Sequence, residues 1–320
     1  MMEMTTATSH DLHEMVGLLK SSLGEGLIPK SEAYFKWKHF DNPFGASKIL
    51  LAKEEGKIVG LRAFMKWQWV RGTENIQSVR AVDTATHPSQ QGKGIFRTLT
   101  MKAVEDCVEE GISHVFNTPN PISMQGYLKM GWHSIGKMPI LIAPGSIAPR
   151  LFKEGRLQEV YKDFAASEAI DALHEEWKIS AHPHLFHTPL SKKYLQWRYS
   201  DCPILNYGAI IEPGSFGIVF RLKKINRFIE LRICELWTEK QHADKKARKA
   251  LRRLISKIRP ALITCGPSPL FETDKKRPLG LFGPFRRGPV TTLRPLALQN
   301  LNHFNQFQLW HPSIGSMELF

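Results

Sequence analysis

The chain has 320 residues, 42% hydrophobic and 23% charged, a balance that excludes long disordered tails and, at this length, predicts two domains of similar size. No run of about 18 apolar residues occurs, and Met1-Met2-Glu3-Met4-Thr5-Thr6 lacks the basic-then-apolar pattern of a signal peptide, so the expectation is a cytoplasmic protein without a transmembrane segment. The formal charge of +14 is uneven: residues 1–150 hold 17 Lys+Arg against 14 Asp+Glu, residues 151–320 hold 27 against 16, and the basicity therefore belongs mainly to the second half.

In chain order, a short strand near Glu3 to Ala7 precedes a helix capped by Ser9 or Asp11, with Leu12, Met15, Val16, Leu18 and Leu19 on one face. A second helix runs from Ser31 through Tyr34, Phe35, Trp37 and Phe40 and stops at Asn42-Pro43-Phe44-Gly45, where proline and glycine prevent continuation. Strands follow at Ile49 to Ala52, Ile58 to Trp69 and Ile76 to Thr86, with turns at Glu54 to Lys57 and at Arg71-Gly72, an antiparallel meander. Beyond the loop at Gln91 to Gly94 the sequence predicts a helix from Ile95 to Glu110 closed by Gly111, a strand at Val115 to Asn117, a helix near Ser123 to Met130 and one strand from Ile135 to Ile142. Pro144-Gly145-Ser146 and Pro149 mark a boundary that divides the chain into 1–148 and 149–320.

The second half contains a faint copy of the first. Tyr34-Phe35-Lys36-Trp37-Lys38-His39-Phe40-Asp41-Asn42-Pro43 is echoed by Tyr194-Leu195-Gln196-Trp197-Arg198-Tyr199-Ser200-Asp201-Cys202-Pro203, and Leu231 to Trp237, Ala243 to Ile258 and Ala261 to Cys265 repeat the strand, long helix and strand order. This predicts a duplicated fold with a degenerate second copy. Cys107, Cys202, Cys234 and Cys265 form no CxxC pair and read as reduced, buried side chains, with no metal site expected.

Arg80 to Phe96 passes from strand through a glycine loop into a helix start. Glycines admit close approach of an anion to the backbone, and free N–H groups of a first helical turn hold phosphates. By itself such a loop reads equally as an ordinary turn. Downstream, Asn120 precedes Tyr127 by seven residues, and Tyr127-Leu128-Lys129-Met130-Gly131-Trp132 has the form Tyr-x-x-x-Gly-aromatic. Together these segments resemble the two signature regions of the GNAT superfamily, a Gln/Arg-x-x-Gly-x-Gly/Ala loop and an Asn-x6-Tyr-x-x-x-Gly-Phe motif, over about the first 145 residues. The loop fits with its Gln one place later, as Gln91-Gly92-Lys93-Gly94-Ile95-Phe96, and Phe96 stands where the common pattern has Gly or Ala.

The resemblance implies an α+β fold with a mixed, mostly antiparallel central sheet flanked by helices, and an acetyl-CoA-dependent N-acetyltransferase. Backbone N–H groups of Gln91, Gly92, Lys93, Gly94, Ile95 and Phe96 would bind the CoA pyrophosphate, the backbone of Ala85 and Thr86 would pair with the pantetheine arm, and Asn120 would position the cofactor. Tyr127 would return a proton to the leaving thiolate, since a phenol with a pKa near about 10 can donate to a thiolate whose acid lies near about 8.5. Asp83 is the candidate base for the amine, with His87, Glu74 and, as in some two-lobed relatives, the terminal carboxylate of Phe320 as alternatives. Residues 1–148 would be the acetyl-CoA-binding catalytic domain and 149–320 the degenerate basic one, the acceptor being a primary amine on a small molecule, amino sugar or peptide.

Lys240, Lys245, Lys246, Arg248, Lys249, Arg252, Arg253, Lys257 and Arg259 crowd one helix opposite Leu251, Leu254, Ile255 and Ile258. A solvated face is the default reading; an anionic partner is the sharper one, and nucleic acid gains no support from interleaved aromatics. Two alternatives therefore accompany the enzyme: a non-catalytic acyl-CoA-fold binding protein whose basic lobe holds an anionic partner, and a Fem-type aminoacyl-tRNA-dependent transferase. His182, His184 and His187 lie among prolines without acidic or cysteine ligands and read as a loop.

Overall fold

The computed structural model describes residues 2–24, 26, 28–180, 182–239, 243–267, 282–286, 288–296 and 301–317. Strand β1 (Met2–Thr6) leads to helix α1 (Leu12–Leu23) and helix α2 (Glu32–His39), then to the long strands β2 (Lys48–Glu54), β3 (Lys57–Arg71) and β4 (Glu74–Thr86). Helix α3 (Ile95–Glu109), β5 (His114–Asn117), α4 (Pro121–Lys129), β6 (His133–Lys137) and β7 (Ile140–Pro144) follow. After α5 (Glu154–Asp163), α6 (Ala166–Asp171), a small hairpin of β8 (Lys178–Ile179) and β9 (Leu190–Ser191), and α7 (Lys192–Leu195), the chain forms β10 (Gly208–Glu212), β11 (Phe216–Ile225) and β12 (Phe228–Thr238). Helix α8 (Ala243–Ile258), β13 (Leu262–Cys265), β14 (Phe282–Phe285) and β15 (Val290–Pro295) complete the sheets.

The chain divides into two units, each holding one large sheet. Residues 1–69, 74–136 and 290–307 make the first, and 70–73, 137–289 and 308–320 the second. The first sheet has the order β1-β2-β3-β4-β5-β15-β6, the second β10-β11-β12-β13-β7-β14. The division differs from the single boundary expected near residue 148. What reads as one strand from Ile135 to Ile142 is two, separated at Met138-Pro139, and they lie in different sheets. Proline lacks the N–H a ladder requires, which favours a break at this point.

Most neighbouring strands are antiparallel, while β4 pairs with β5 and β12 with β13 in parallel. Read from β2 and from β10, the two orders coincide position by position, with α3 and α8 each joining a parallel pair. The echoed sequence begins identically in both units: Ser31 caps α2 by accepting from Tyr34 N at 3.1 Å, and Ser191 caps α7 by accepting from Tyr194 N at 3.1 Å. Each cap supplies an oxygen to an otherwise orphan N–H of the first turn.

In unit 1, one face of the sheet packs Leu50, Ala52, Phe64, Val79 and Ala81 against Ile95, Leu99, Ala103 and Val104 of α3. The other face packs Ile49, Leu51, Leu61 and Ala63 against Met15, Val16, Leu18 and Leu19 of α1. A strand buried on both faces reads as a near-continuous apolar run, as Ile58 to Met65 does with the exception of Arg62. In unit 2, α8 lays Ala243, Ala247, Leu251, Leu254 and Ile258 on the sheet and turns Lys245, Lys249, Arg252 and Arg253 to solvent. Lys246 pairs with Glu212 and Lys257 with Asp163; Lys240 lies outside the described residues. The four cysteines are free and buried.

Candidate active site

The β4–β5 ladder covers Ser78 to Arg80 opposite His114 to Phe116, so the end of β4 runs on toward the glycine loop beyond the last of these pairs. A short turn at Pro88–Gln90 carries the chain to Gly92 and Gly94, with φ of 81° and 80°. Both values lie in the left-handed region that glycine adopts without strain. A Cβ on either would meet nothing within 4 Å, so the glycines answer to backbone conformation and leave the outer side of the turn open. Gly94 is the N-cap of α3 and supplies no side-chain oxygen. The first-turn N–H groups of this 15-residue helix are thereby left without an intrahelical acceptor and present the positive end of its dipole.

An open groove of about 590 Å³ adjoins this turn, lined by Thr84, Ala85 and Thr86 of β4, by Gln91, Gly92, Gly94, Ile95 and Phe96, and by Ile122, Ser123 and Gly126 of α4. Seven of the nine residues expected at a cofactor are therefore in one place. Lys93 is exposed and donates to Gln90 Oε1 at 2.6 Å. Asn120 caps α4, its Oδ1 accepting from Ser123 N at 2.8 Å and Ser123 Oγ at 3.0 Å. The Thr86 carbonyl already accepts from Ser22 Oγ at 3.1 Å and Gln91 Nε2 at 3.4 Å, which secures the loop and leaves that oxygen less free for strand-like pairing.

Tyr127 is buried behind the groove. The Phe96 ring stands edge-on to it, with centroids 5.6 Å apart, and Trp132 packs on it at 5.2 Å. A Cβ at Gly126 would lie 3.0 Å from Phe96 Cε1, so Gly126 makes room for the large residue that departs from the GNAT loop pattern. Arg62 of β3 lies beneath, its guanidinium 5.3 Å from the Tyr127 ring centre and 5.7 Å from that of Phe96.

Asp83 sits in a different setting. Its Oδ2 is 2.8 Å from Lys38 Nζ and 2.7 Å from His39 Nε2, both on α2. Burial alone would raise its pKa, but Lys38 and the His39 bond prevail and hold the carboxyl well below the usual carboxylate range. Burial likewise keeps His39 below the usual imidazole range; the neutral ring donates from Nε2 to Asp83 and accepts at Nδ1 from Ser47 Oγ at 2.9 Å. A carboxylate so stabilised as an anion has little drive to take a proton, which weighs against Asp83 as the base.

The strand registers find Asp83 a counterpart. Aligning Arg80, opposite Phe116, with Arg232, opposite Thr264, aligns Asp83 with Glu235. The repeat likewise aligns Lys38 and His39 with Arg198 and Tyr199. Glu235 Oε1 accepts from Tyr199 OH at 2.6 Å and from Ser313 Oγ at 2.7 Å, and burial pushes its carboxyl up to about 7. An acid tying the parallel strand to the helix of the repeat is thus common to both units, although only the first has the glycine loop.

The histidine cluster is partly assembled: His182 and His187 adjoin a small cavity with His311 and Glu235, and His184 is exposed. Burial, aided by the charge of the neighbouring His311, lowers His182 to about 3 and His187 to about 4. Phe320 lies outside the described residues. Sequence reasoning passed over Ser22, Gly126 and Arg62; the visible signal for Arg62 was a lone cation within the apolar run Gly60-Leu61-Arg62-Ala63-Phe64.

A parallel strand thus leads through a glycine turn into the N-terminus of a long helix, beside a groove shared with a second helix, within an α+β fold. Residues 3–135 match the family model for the acetyltransferase (GNAT) domain. Similar solved structures include the GCN5-related N-acetyltransferase from Anabaena variabilis, at 14% identity and a TM-score of 0.62 over 93% of this chain and 74% of that one. A probable N-acyltransferase from Enterococcus faecalis aligns at 11% identity and 0.63 over 93% and 74%. The GCN5-related N-acetyltransferase from Kribbella flavida aligns at 14% and 0.59 over 92% and 72%. At these identities the likeness establishes a shared fold. No curated protein sequence matches the chain. Among the described residues no helix is long and apolar enough to cross a membrane.

Proposed function

We propose that the protein is an acyl-CoA-dependent N-acyltransferase that carries an acyl group, acetyl in the simplest case, to a primary amine of a small molecule, amino sugar or peptide. The observation that carries this reading is the Gly92–Gly94 turn on α3, whose open backbone adjoins the groove between α3 and α4. The residues present suit a CoA thioester. The turn offers N–H groups to a pyrophosphate, and Ile122, 90% exposed, and Leu23, 54% exposed, offer apolar surface that a bound ligand would cover.

The thioester supplies an activated acyl group, and the protein's task is to hold it and manage protons. N–H groups from Gln91 to Phe96 bind and orient the donor. Ala85 and Thr86 line its path, while Asn120 contributes by fixing the start of α4. Tyr127, behind Phe96, is the proposed proton donor to the departing thiolate. Asp83 anchors α2 to β4, and the amine proton leaves by another route. The described strands of the second unit repeat the order of the first, and the sequence Glu239-Lys240-Gln241-His242 before α8 carries no glycine turn.

Calorimetric titration tests the reading: acetyl-CoA should bind the wild type, and a Gly92→Asp, Gly94→Asp variant should lose binding, because it adds negative charge and left-handed strain where phosphates are to sit. Absence of binding by the wild type would overturn the assignment.

A further inference from the structure

Arg62 is fully buried, and among the described residues none of its three guanidinium nitrogens has a hydrogen-bond partner. It lies on the α3 side of β3. Two residues before it, a Cβ on Gly60 would meet Ile95 at 2.5 Å and Leu99 at 3.2 Å, and two residues after it Phe64 packs in the same core as those side chains. The guanidinium faces rings: Phe64 at 4.9 Å, Tyr127 at 5.3 Å and Phe96 at 5.7 Å. Cation–π contact offsets only part of the cost of taking a guanidinium out of water, so a cation held here without a counter-charge calls for an explanation.

Its place beside the first turn of α3 supplies one. Phe96 is the second residue of that helix, so its amide is among the first-turn N–H groups that have no intrahelical acceptor. Covalent geometry keeps this amide within about 5 Å of the Phe96 ring centre, itself 5.7 Å from the guanidinium, which places the buried charge within about 11 Å of an N–H assigned above to the pyrophosphate. Arg62 does not line the groove. Its charge acts across the Phe96 ring, an apolar layer in which charges are screened less than in water.

We propose, resting on the acyl-CoA reading above, that the pyrophosphate of the donor is the counter-charge that Arg62 lacks. From behind Phe96 the fixed cation adds to the dipole of α3 and draws the diphosphate onto the glycine turn without touching it. Arg62 is thus a positioning residue for the phosphate end of the donor.

Calorimetric titration with CoA and with dephospho-CoA, which lacks only the 3′-phosphate, tests this beside thermal unfolding of the unliganded protein. Arg62→Met should weaken both ligands by about tenfold, the effect of one unit charge on another at about 11 Å with an effective dielectric constant of about 20. Arg62→Lys, which keeps the charge, should retain most of the affinity. The unliganded Arg62→Met protein should unfold at the same or a higher temperature, because an uncompensated buried charge has been replaced by an apolar chain of similar length. Unchanged affinity in Arg62→Met overturns the proposal, as does an equal loss in Arg62→Lys. An Arg62→Met protein that unfolds earlier, or does not fold, also overturns it, since the guanidinium would then be holding the unliganded fold. A loss confined to CoA and absent with dephospho-CoA would assign the charge to the 3′-phosphate and overturn the pyrophosphate pairing. Failure of the wild type to bind either ligand instead overturns the acyl-CoA reading on which the proposal rests.

Discussion

Asp83 and Tyr127 lie within one unit but meet opposite demands. Asp83 is held as an anion by Lys38 and His39, and its depressed pKa stabilises the fold above the unfolded carboxylate value. That contribution is lost as pH falls through the folded value. Asp83→Ala would remove the carboxylate that pairs with the buried Lys38 ammonium and should cost about 3 kcal/mol in denaturant unfolding, whereas loss of an exposed acid would cost far less. Glu235 has the reverse sign. With its carboxyl raised to about 7, the folded state favours the protonated form, so stability falls as pH rises from the unfolded carboxyl value toward 7 and levels off above it. Glu235→Gln should therefore be more stabilising at pH 8 than at pH 5, by up to about 3 kcal/mol; equal effects at both pH values would contradict a buried neutral acid. Tyr127→Phe keeps the ring contacts with Phe96 and Trp132 and removes only the hydroxyl. If the phenol is the proton donor, kcat should fall by a factor of about 100 with little change in donor affinity.

At the scale of elements, the α3 and α4 termini are secured by different means. Gly94 caps α3 without a side-chain acceptor, while Asn120 caps α4 from within. Asn120→Ala should then destabilise the protein by about 1 kcal/mol in thermal or denaturant unfolding and weaken donor binding only slightly. A loss of binding much larger than the loss of stability would instead assign Asn120 a direct contact. The strand, turn and helix order around Gly92 and Gly94 was visible in the residues because glycine, proline and an apolar period of 3.6 act locally. The Phe96 packing was not, since a substitution in a loop pattern carries no sign of the glycine at position 126 that accommodates it. Likewise, Pro139 marks a possible break between Ile135 and Ile142, but not that β6 and β7 go to separate sheets.

For the whole molecule, the division into units has a direct consequence. Residues 1–148 lack β15, which pairs with β5 through Asn117 to His114 and lies between β5 and β6. Expressed alone, this fragment would expose unpaired strand edges on β5 and β6. It should fail to give the cooperative unfolding and dispersed amide spectrum of the full chain; a stably folded fragment would show that β15 is dispensable. The sequence by itself determined helices α1 to α4 and α8, the meander, the glycine turn and the echo of residues 34–43 in 194–203, because propensity, hydrophobic period and turn chemistry depend on near neighbours. Only the tertiary structure decided that β7 and β15 serve sheets remote from them in sequence, that Asp83 is committed to α2, and that Arg62 is buried against the rings of Phe64, Phe96 and Tyr127. Strand pairing and burial depend on residues tens to hundreds of positions apart, and a single sequence records those residues without recording that they meet.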